Sequence, residues 1–396
     1  ASLHRGRVAA EGREQGLVAA AGREEELDAL YTLFPKLHTM INSHYNEREL
    51  VNLKDAEGTC KALNMCHTES IAEMLLAEQP KDLSVHIEAV NNSGANWVAG
   101  HNEKFTGASQ KEIRQLMGTV VDPEWTITGH VKEYPEAANA DFPVNFDARE
   151  NWPDCAATIG HVRDQSDCGS CWAHGTTEAF NDRLCIATEG AYQALLSVSD
   201  TAACCNGTEC FSFGCNGGQV GTPWSWFKRD GVVSGGDYQT GEFCYDYTLP
   251  ICAHHVESPG MISCDDVPFG PTPACLNSCP SNTAIDYAND KVKAASSYNI
   301  RGIDNIKMEI MTHGTVTAAF TVYEDFPTYK SGVYRHTSGA AEGGHAIKVI
   351  GWGVENGEDY WLCVNSWNET WGDNGTFKIL MGDCGINDQM HAGLAQ

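Results

Sequence analysis

Seventeen cysteines constrain this 396-residue chain more than any other feature. Fifteen follow residue 140, and most crowd between Cys155 and Cys279, where Cys204 and Cys205 are adjacent. Cytosolic chains seldom carry thiols at that density, whereas chains of oxidising compartments use them as disulfides. Asn-x-Ser/Thr sequons at Asn91, Asn206, Asn368 and Asn374 agree with a secretory route. Zinc is the competing use of so many thiols. Cys275-x3-Cys279 and His254-His255 are ligand types, but no second pair stands at finger-like spacing. No metal or other cofactor is expected.

Composition narrows the partners. Apolar residues make up 42% of the chain, enough for a sizeable core, and no apolar run approaches the ~18–20 residues of a membrane span. The chain opens at Ala1, not Met, so a signal peptide is not legible in it. Fifty-three acidic against 26 basic side chains give a formal charge of -27. Such a surface repels phosphate backbones, so nucleic acid is excluded as a partner. It serves solubility equally well as it suits an acidic compartment.

Cysteine use divides the chain near residue 140. Residues 1–85 are unassigned. Leu27, Leu30, Phe34 and Leu37 recur at helical spacing until Pro35 interrupts them, and Cys60 and Cys66 precede a helical stretch around Thr68–Leu76. From Asp141 onward the first half reads as helix and loop. The second half carries strand-like runs, "GTVTAAFTVY", "HAIKVIGWG", "YWLCVNSW" and "GTFKIL". The expected class is α+β, two unlike subdomains with a cleft between them.

The segment "RDQSDCGSCWAHG" carries the chemistry. Cys168-Gly169-Ser170-Cys171-Trp172 opens a stretch, Ala173–Ile186, able to form a helix, which places Cys171 at its N-terminal end. There the helix dipole and a nearby imidazolium would favour the thiolate, the attacking species. Gln165 supplies an amide that, with the Cys171 backbone N–H, can donate to an oxyanion. "EGGHAIKVIGWG" then offers His345 as base, and "NSWNETWGDNG" offers Asn365 and Trp367.

In these three motifs and their order the chain resembles papain-like cysteine proteases, across about residues 87–396. The resemblance implies a papain-like fold with a helical and a β-barrel-like half, peptide-bond hydrolysis by Cys171 and His345, Asn365 orienting the imidazole, and Trp367 shielding that bond. His345 follows Cys171 by more than the ~130–150 residues typical of such chains. Much of the excess is a Cys-rich insertion containing "PICAHHVESPGMISC", which is similar to the occluding loop of the cathepsin B branch, at about 252–264. The resemblance gives His254 and His255 there the task of holding a substrate's C-terminal carboxylate, and pairs His254 with Asp164. It implies disulfides Cys155–Cys185, Cys168–Cys215, Cys204–Cys275, Cys205–Cys210, Cys244–Cys279 and Cys252–Cys264, leaving Cys171, Cys363 and Cys384. Gly217 and Gly218 match a strip that pairs with substrate backbone, and Gly169 and Gly344 match small residues beside the first specificity pocket. Residues 86–140, with Trp97, Ala99 and Gly100, are similar to an inhibitory propeptide that crosses the cleft against the substrate direction. Residues 141–396 are then the peptidase domain.

The implied product is a zymogen with endopeptidase and dipeptidyl carboxypeptidase action, lysosomal, endosomal or secreted. Its implied partners are peptide and protein substrates, its own propeptide and cystatin-like inhibitors. The competing class is a catalytically silent binding module; an intact Gln165, Cys171, His345 and Asn365 speak against it. The chain departs from the family's pattern at Gln389, where a Glu often floors the second specificity pocket, and at Gln219 and Val220 after the glycine strip. It departs again at Thr370, where an Asp often pairs with an Arg of the loop; here that loop has no Arg or Lys.

Overall fold

The computed structural model describes residues 79–121, 130–253, 262–263, 266–267 and 270–396. The Leu27–Leu37 periodicity, the Thr68–Leu76 stretch, Cys60, Cys66, His254, His255 and Cys264 lie outside the described residues.

Six helices of six residues or more occur among the described residues. They are α1 Ser84–Ser93, α2 Gln110–Gln115, α3 Cys171–Ala187, α4 Val198–Cys204, α5 Thr222–Arg229 and α6 Ile303–His313. Local chemistry sets several of their starts. Ser109 and Glu112 close a reciprocal capping box on α2, Ser197 accepts the Asp200 N–H at the start of α4, and Pro223 stands in the first turn of α5. The strands are β1 Trp97–Ala99, β2 Val131–Lys132, β3 Phe146–Asp147, β4 Cys252–Ala253, β5 Ile262–Ser263, β6 Tyr298–Ile300, β7 Val316–Tyr323, β8 Tyr329–Tyr334, β9 Ala341–Glu355, β10 Glu358–Val364, β11 Thr376–Leu380 and β12 Met390–Ala392. β4 and β5 pair with each other. The rest form one ten-stranded sheet in the order β1-β8-β11-β10-β9-β7-β12-β6-β2, with β3 on β9.

Two apolar cores follow from this division. One lies on the sheet, around Phe320, Phe326, Trp352, Trp361, Trp371 and Phe377. The other lies among α3, α4 and α5, around Trp172, Phe180, Leu196, Trp224 and Phe227. Helix α3 is buried from Cys171 through Cys185 because it passes between them. Gly175 permits its close approach: a Cβ there would stand 3.0 Å from the Ile347 carbonyl of β9. Buried ion pairs fasten the same helix, Arg183 to Glu309 at 2.8 Å and Asp182 to Lys348 at 3.0 Å. Losing one partner of such a pair costs on the order of 3–5 kcal/mol.

Segment 79–121 belongs to the same compact unit. Trp97 is its anchor, 3% exposed, stacked on Tyr329 and edge-on to Tyr334, with its Nε1 donating to the Arg335 carbonyl at 3.0 Å.

Candidate active site

Cys171 is the first residue of α3, after a non-helical Ser170. His345 lies on β9, directly opposite Phe320 of β7. Asn365 follows β10, and its Oδ1 accepts the Ser366 N–H at 2.8 Å, which fixes the amide's orientation. His345 Nε2, 2.7 Å from that same oxygen, is therefore a donor. The proton on Nε2 leaves Nδ1 bare, buried and without a hydrogen-bond partner. The Trp367 ring tilts over the imidazole with centroids 4.7 Å apart, so water is kept from the His–Asn bond.

Gln165 is fixed in the same way. Its Oε1 accepts from Ser366 Oγ at 2.8 Å and Trp367 Nε1 at 3.1 Å, so its Nε2 must point the other way. It donates to the Cys168 carbonyl at 2.7 Å and to the Leu116 carbonyl at 3.0 Å. A carbonyl oxygen of segment 79–121 thus rests on the amide expected to meet an oxyanion.

The segment fills the rest of the groove. Gly118 accepts from the Gly218 N–H at 2.8 Å, Thr119 N–H donates to Gly344 at 3.0 Å, and Val120 N–H reaches Gly218 at 3.4 Å. Thr119 runs parallel to Gly218 and antiparallel to Gly344. A Cβ on Gly344 would lie 1.9 Å from the Thr119 carbonyl oxygen, so this passage requires glycine. Thr119 Oγ1 stands 3.2 Å from Cys171 Sγ. Gly169 pairs with Asn216, beside Gly217. Further along, Lys104 Nζ donates to Asp164 Oδ1 at 3.1 Å with both side chains buried, and Phe105 packs edge-on to Trp367.

Burial under this segment changes the protonation expected from the sequence. It pushes the Cys171 thiol up, against hydrogen bonds from Thr119 and neighbouring amides. It pushes His345 down to about 4, against the Asn365 bond and the Leu116 backbone, which lies near the ring without forming a well-directed bond to Nδ1. In this form burial favours a neutral thiol and a neutral imidazole over thiolate and imidazolium, since it disfavours each charged group.

Disulfides join Cys155 to Cys185, Cys168 to Cys215, Cys204 to Cys275, Cys205 to Cys210 and Cys244 to Cys279. Cys252 is disulfide-bonded, while Cys171, Cys363 and Cys384 are free. Asp164, expected to face His254, is held by Lys104 in this form. Gln389 is 2% exposed and its Nε2 has no hydrogen-bond partner; Val220 is buried and Gln219 half-buried. Asn91 spends its side-chain amide on both polar groups of Ala99, so its sequon serves a turn. Thr119, Lys104 and Ser366 escaped the reading of the sequence. Thr119 and Lys104 meet partners far along the chain, and Ser366, though inside the "NSWNETWGDNG" motif, takes its role from its bond to the distant Gln165.

A family model described as papain family cysteine protease matches residues 142–394. Cathepsin B-like cysteine proteinase 5 of Caenorhabditis elegans is 41% identical over 317 residues, 78% of this chain and 89% of the relative. Cathepsin B-like cysteine proteinase 4 of the same organism is 40% identical over 328 residues, 82% and 95%. Among solved structures, proCathepsin B S9 from Trypanosoma congolense matches with a TM-score of 0.67 at 30% identity, over 79% of this chain and 98% of that one. Digestive procathepsin L2 proteinase from Tenebrio molitor larval midgut matches at 0.56 and 21% identity, over 85% and 98%, which concerns the fold alone.

Proposed function

We propose, from the premise that the chain belongs to the papain family of cysteine proteases, that it is the zymogen of a peptidase with both endopeptidase and dipeptidyl carboxypeptidase action. The bare Nδ1 of His345 carries this reading: it is a base with its tautomer already set, on the strand packed against the helix that begins at Cys171. In the proposed mechanism Nδ1 takes the Cys171 proton as sulfur attacks the scissile carbonyl. Gln165 Nε2 and the Cys171 N–H hold the oxyanion, the imidazolium protonates the departing amine, and water then hydrolyses the thioester.

Residues 86–140 are assigned as the pro-segment, 141–396 as the peptidase domain, and 1–85 as an extension without an assigned role. The parallel run of Thr119 along Gly218 supports a reversed, uncut passage. The dipeptidase mode rests on the likeness of the Cys252 insertion to an occluding loop and on Asp164, which pro-segment removal frees for His254. An acidic lysosomal or endosomal compartment, or secretion, fits the disulfides, and Asn206, Asn368 and Asn374 are the sequons offered to glycosylation. Protein substrates and cystatin-like inhibitors are the proposed partners.

The test is hydrolysis after acid activation, with Cys171→Ala as control. Peptides with free or amidated C-termini separate the two modes, since only the free carboxylate supports dipeptide release. Activated wild type should also be labelled by a thiol-alkylating epoxide. Absence of both turnover and labelling would establish the silent binding module instead.

A further inference from the structure

Glu342 lies on β9 three residues before His345, and its side chain is 1% exposed. Arg114 Nε stands 2.7 Å from its Oε2, and Gln110 Nε2 donates to its Oε1 at 3.1 Å. Gln110 and Arg114 are four residues apart, so they leave the same face of α2. Both partners of this carboxylate belong to the pro-segment, the part of the chain that maturation removes.

The path of the pro-segment tells which half of the cleft Glu342 serves. Residues 118–120 pair with Gly218, on the strip that pairs with substrate backbone, whereas Lys104 meets Asp164, the partner the resemblance gives to the His254 that holds a substrate's C-terminal end. The chain passes Cys171 at Thr119 and Gln165 at Leu116. Residues before Leu116 lie beyond that crossing, where Phe105 covers Trp367 and Lys104 meets Asp164. Glu342 is held by that earlier stretch. It therefore faces the leaving-group half of the cleft, and a guanidinium of the chain itself already occupies it.

Removing the pro-segment strips the carboxylate of both donors. A carboxylate in a partly desolvated groove gains more from a cationic side chain than from a neutral one. Gln110 also donates to Glu324, which Lys81 binds, so a second negative charge stands in the same cluster.

We propose that Glu342 sets specificity on the leaving-group side of the scissile bond, selecting peptides with Arg or Lys in the first two residues after it. The inference rests on the peptidase reading above, and deepens it by naming a substrate class. No covalent step is added.

The test uses the activated enzyme and two peptide series identical except for the first or second residue after the scissile bond. Each series carries Arg, its uncharged isostere citrulline, or Glu. Wild type should favour Arg over citrulline by roughly tenfold in kcat/KM in at least one series, with the ratio falling as salt is raised. Glu342→Gln should bring the ratio within about twofold of one, and Glu342→Lys should turn the preference toward Glu. Ratios within one enzyme preparation are independent of how much of a variant folds. An Arg/citrulline ratio near one in wild type, or one left intact by Glu342→Gln, overturns the proposal. A coumarylamide with no residue after the scissile bond separates the two failures. Wild type that cleaves it without discriminating Arg from citrulline refutes only Glu342, and wild type that cleaves neither refutes the peptidase reading.

Discussion

Gln389 carries an uncharged amide with an unpaired Nε2 where relatives of the cathepsin B branch often place Glu. A carboxylate offsets the desolvation of a guanidinium entering the second specificity pocket; an amide oxygen accepts a hydrogen bond but brings no charge. Taking about 1.4–3 kcal/mol as the discounted loss, Arg should fall roughly ten- to a hundredfold behind Phe or Leu there. Comparing kcat/KM for Phe-Arg and Arg-Arg substrates on wild type and Gln389→Glu checks it, and equal use of both by wild type would end the idea. The two active-site protonation states give another residue-scale expectation. His345, pushed down to about 4, stays neutral above that pH, and the raised Cys171 stays a thiol through neutrality. Only the thiolate alkylates quickly. The uncut chain should therefore react with iodoacetamide at pH 7 on the order of a hundredfold more slowly than the activated enzyme. Cys171, His345, Asn365 and Gln165 were legible because each sits in a dense local motif. Lys104, Thr119 and Glu342 were not, because their meaning is a contact between distant stretches; Glu342 even opens the "EGGHAIKVIGWG" motif, but only its bonds to Arg114 and Gln110 give it a role. The thiolate expected at Cys171 was read from the helix dipole and the imidazolium, without the burial that disfavours both charges.

Between single residues and the whole lies the pro-segment, which attaches by a small set of polar clasps over an apolar anchor. Lys104 and Asp164 form the most buried of them, with side chains 3% and 2% exposed. Lys104→Met would leave the Asp164 carboxylate with the Ser166 N–H but no counter-charge, a cost of up to about 3–5 kcal/mol for a buried pair. That variant should show activity at neutral pH without cleavage, or activate far faster than wild type; an unchanged activation course would mean the clasp holds nothing. Glu324 acts at the other end. Burial raises its carboxyl, but Lys81 and the Ala340 amide outweigh that and hold it below its usual value. Ala340 stays after undocking, so only the part of the depression owed to Lys81 and His86 links to docking; that contact contributes above the undocked value and is lost as pH falls through the docked one, the direction acid activation requires. The Ser109–Glu112 capping box of α2 is a local signal, yet the helix is only six residues long, too short for periodicity to declare it.

Across the molecule, the division into a helical and a sheet-based core was legible from residue 141 onward, since the four strand-like runs became β7, β9, β10 and β11. Helix α3 was equally clear from its start at Cys171, though not its burial on all sides, which follows from its place between the cores. The sheet's outermost members were invisible in advance. β1 and β2 are three and two residues long, and strands that short carry no alternation to detect. Both stand before residue 140, and they are the two ends of the sheet order. Cleavage near Asp141 would thus take away the first and last rung of a ladder, baring the backbone N–H and C=O groups of β8 on one margin and β6 on the other. Open margins invite pairing with another chain. The uncut chain already ends its sheet in two very short strands, so cleavage would exchange those two- and three-residue borders for β8 and β6 and lengthen the exposed edge on each side.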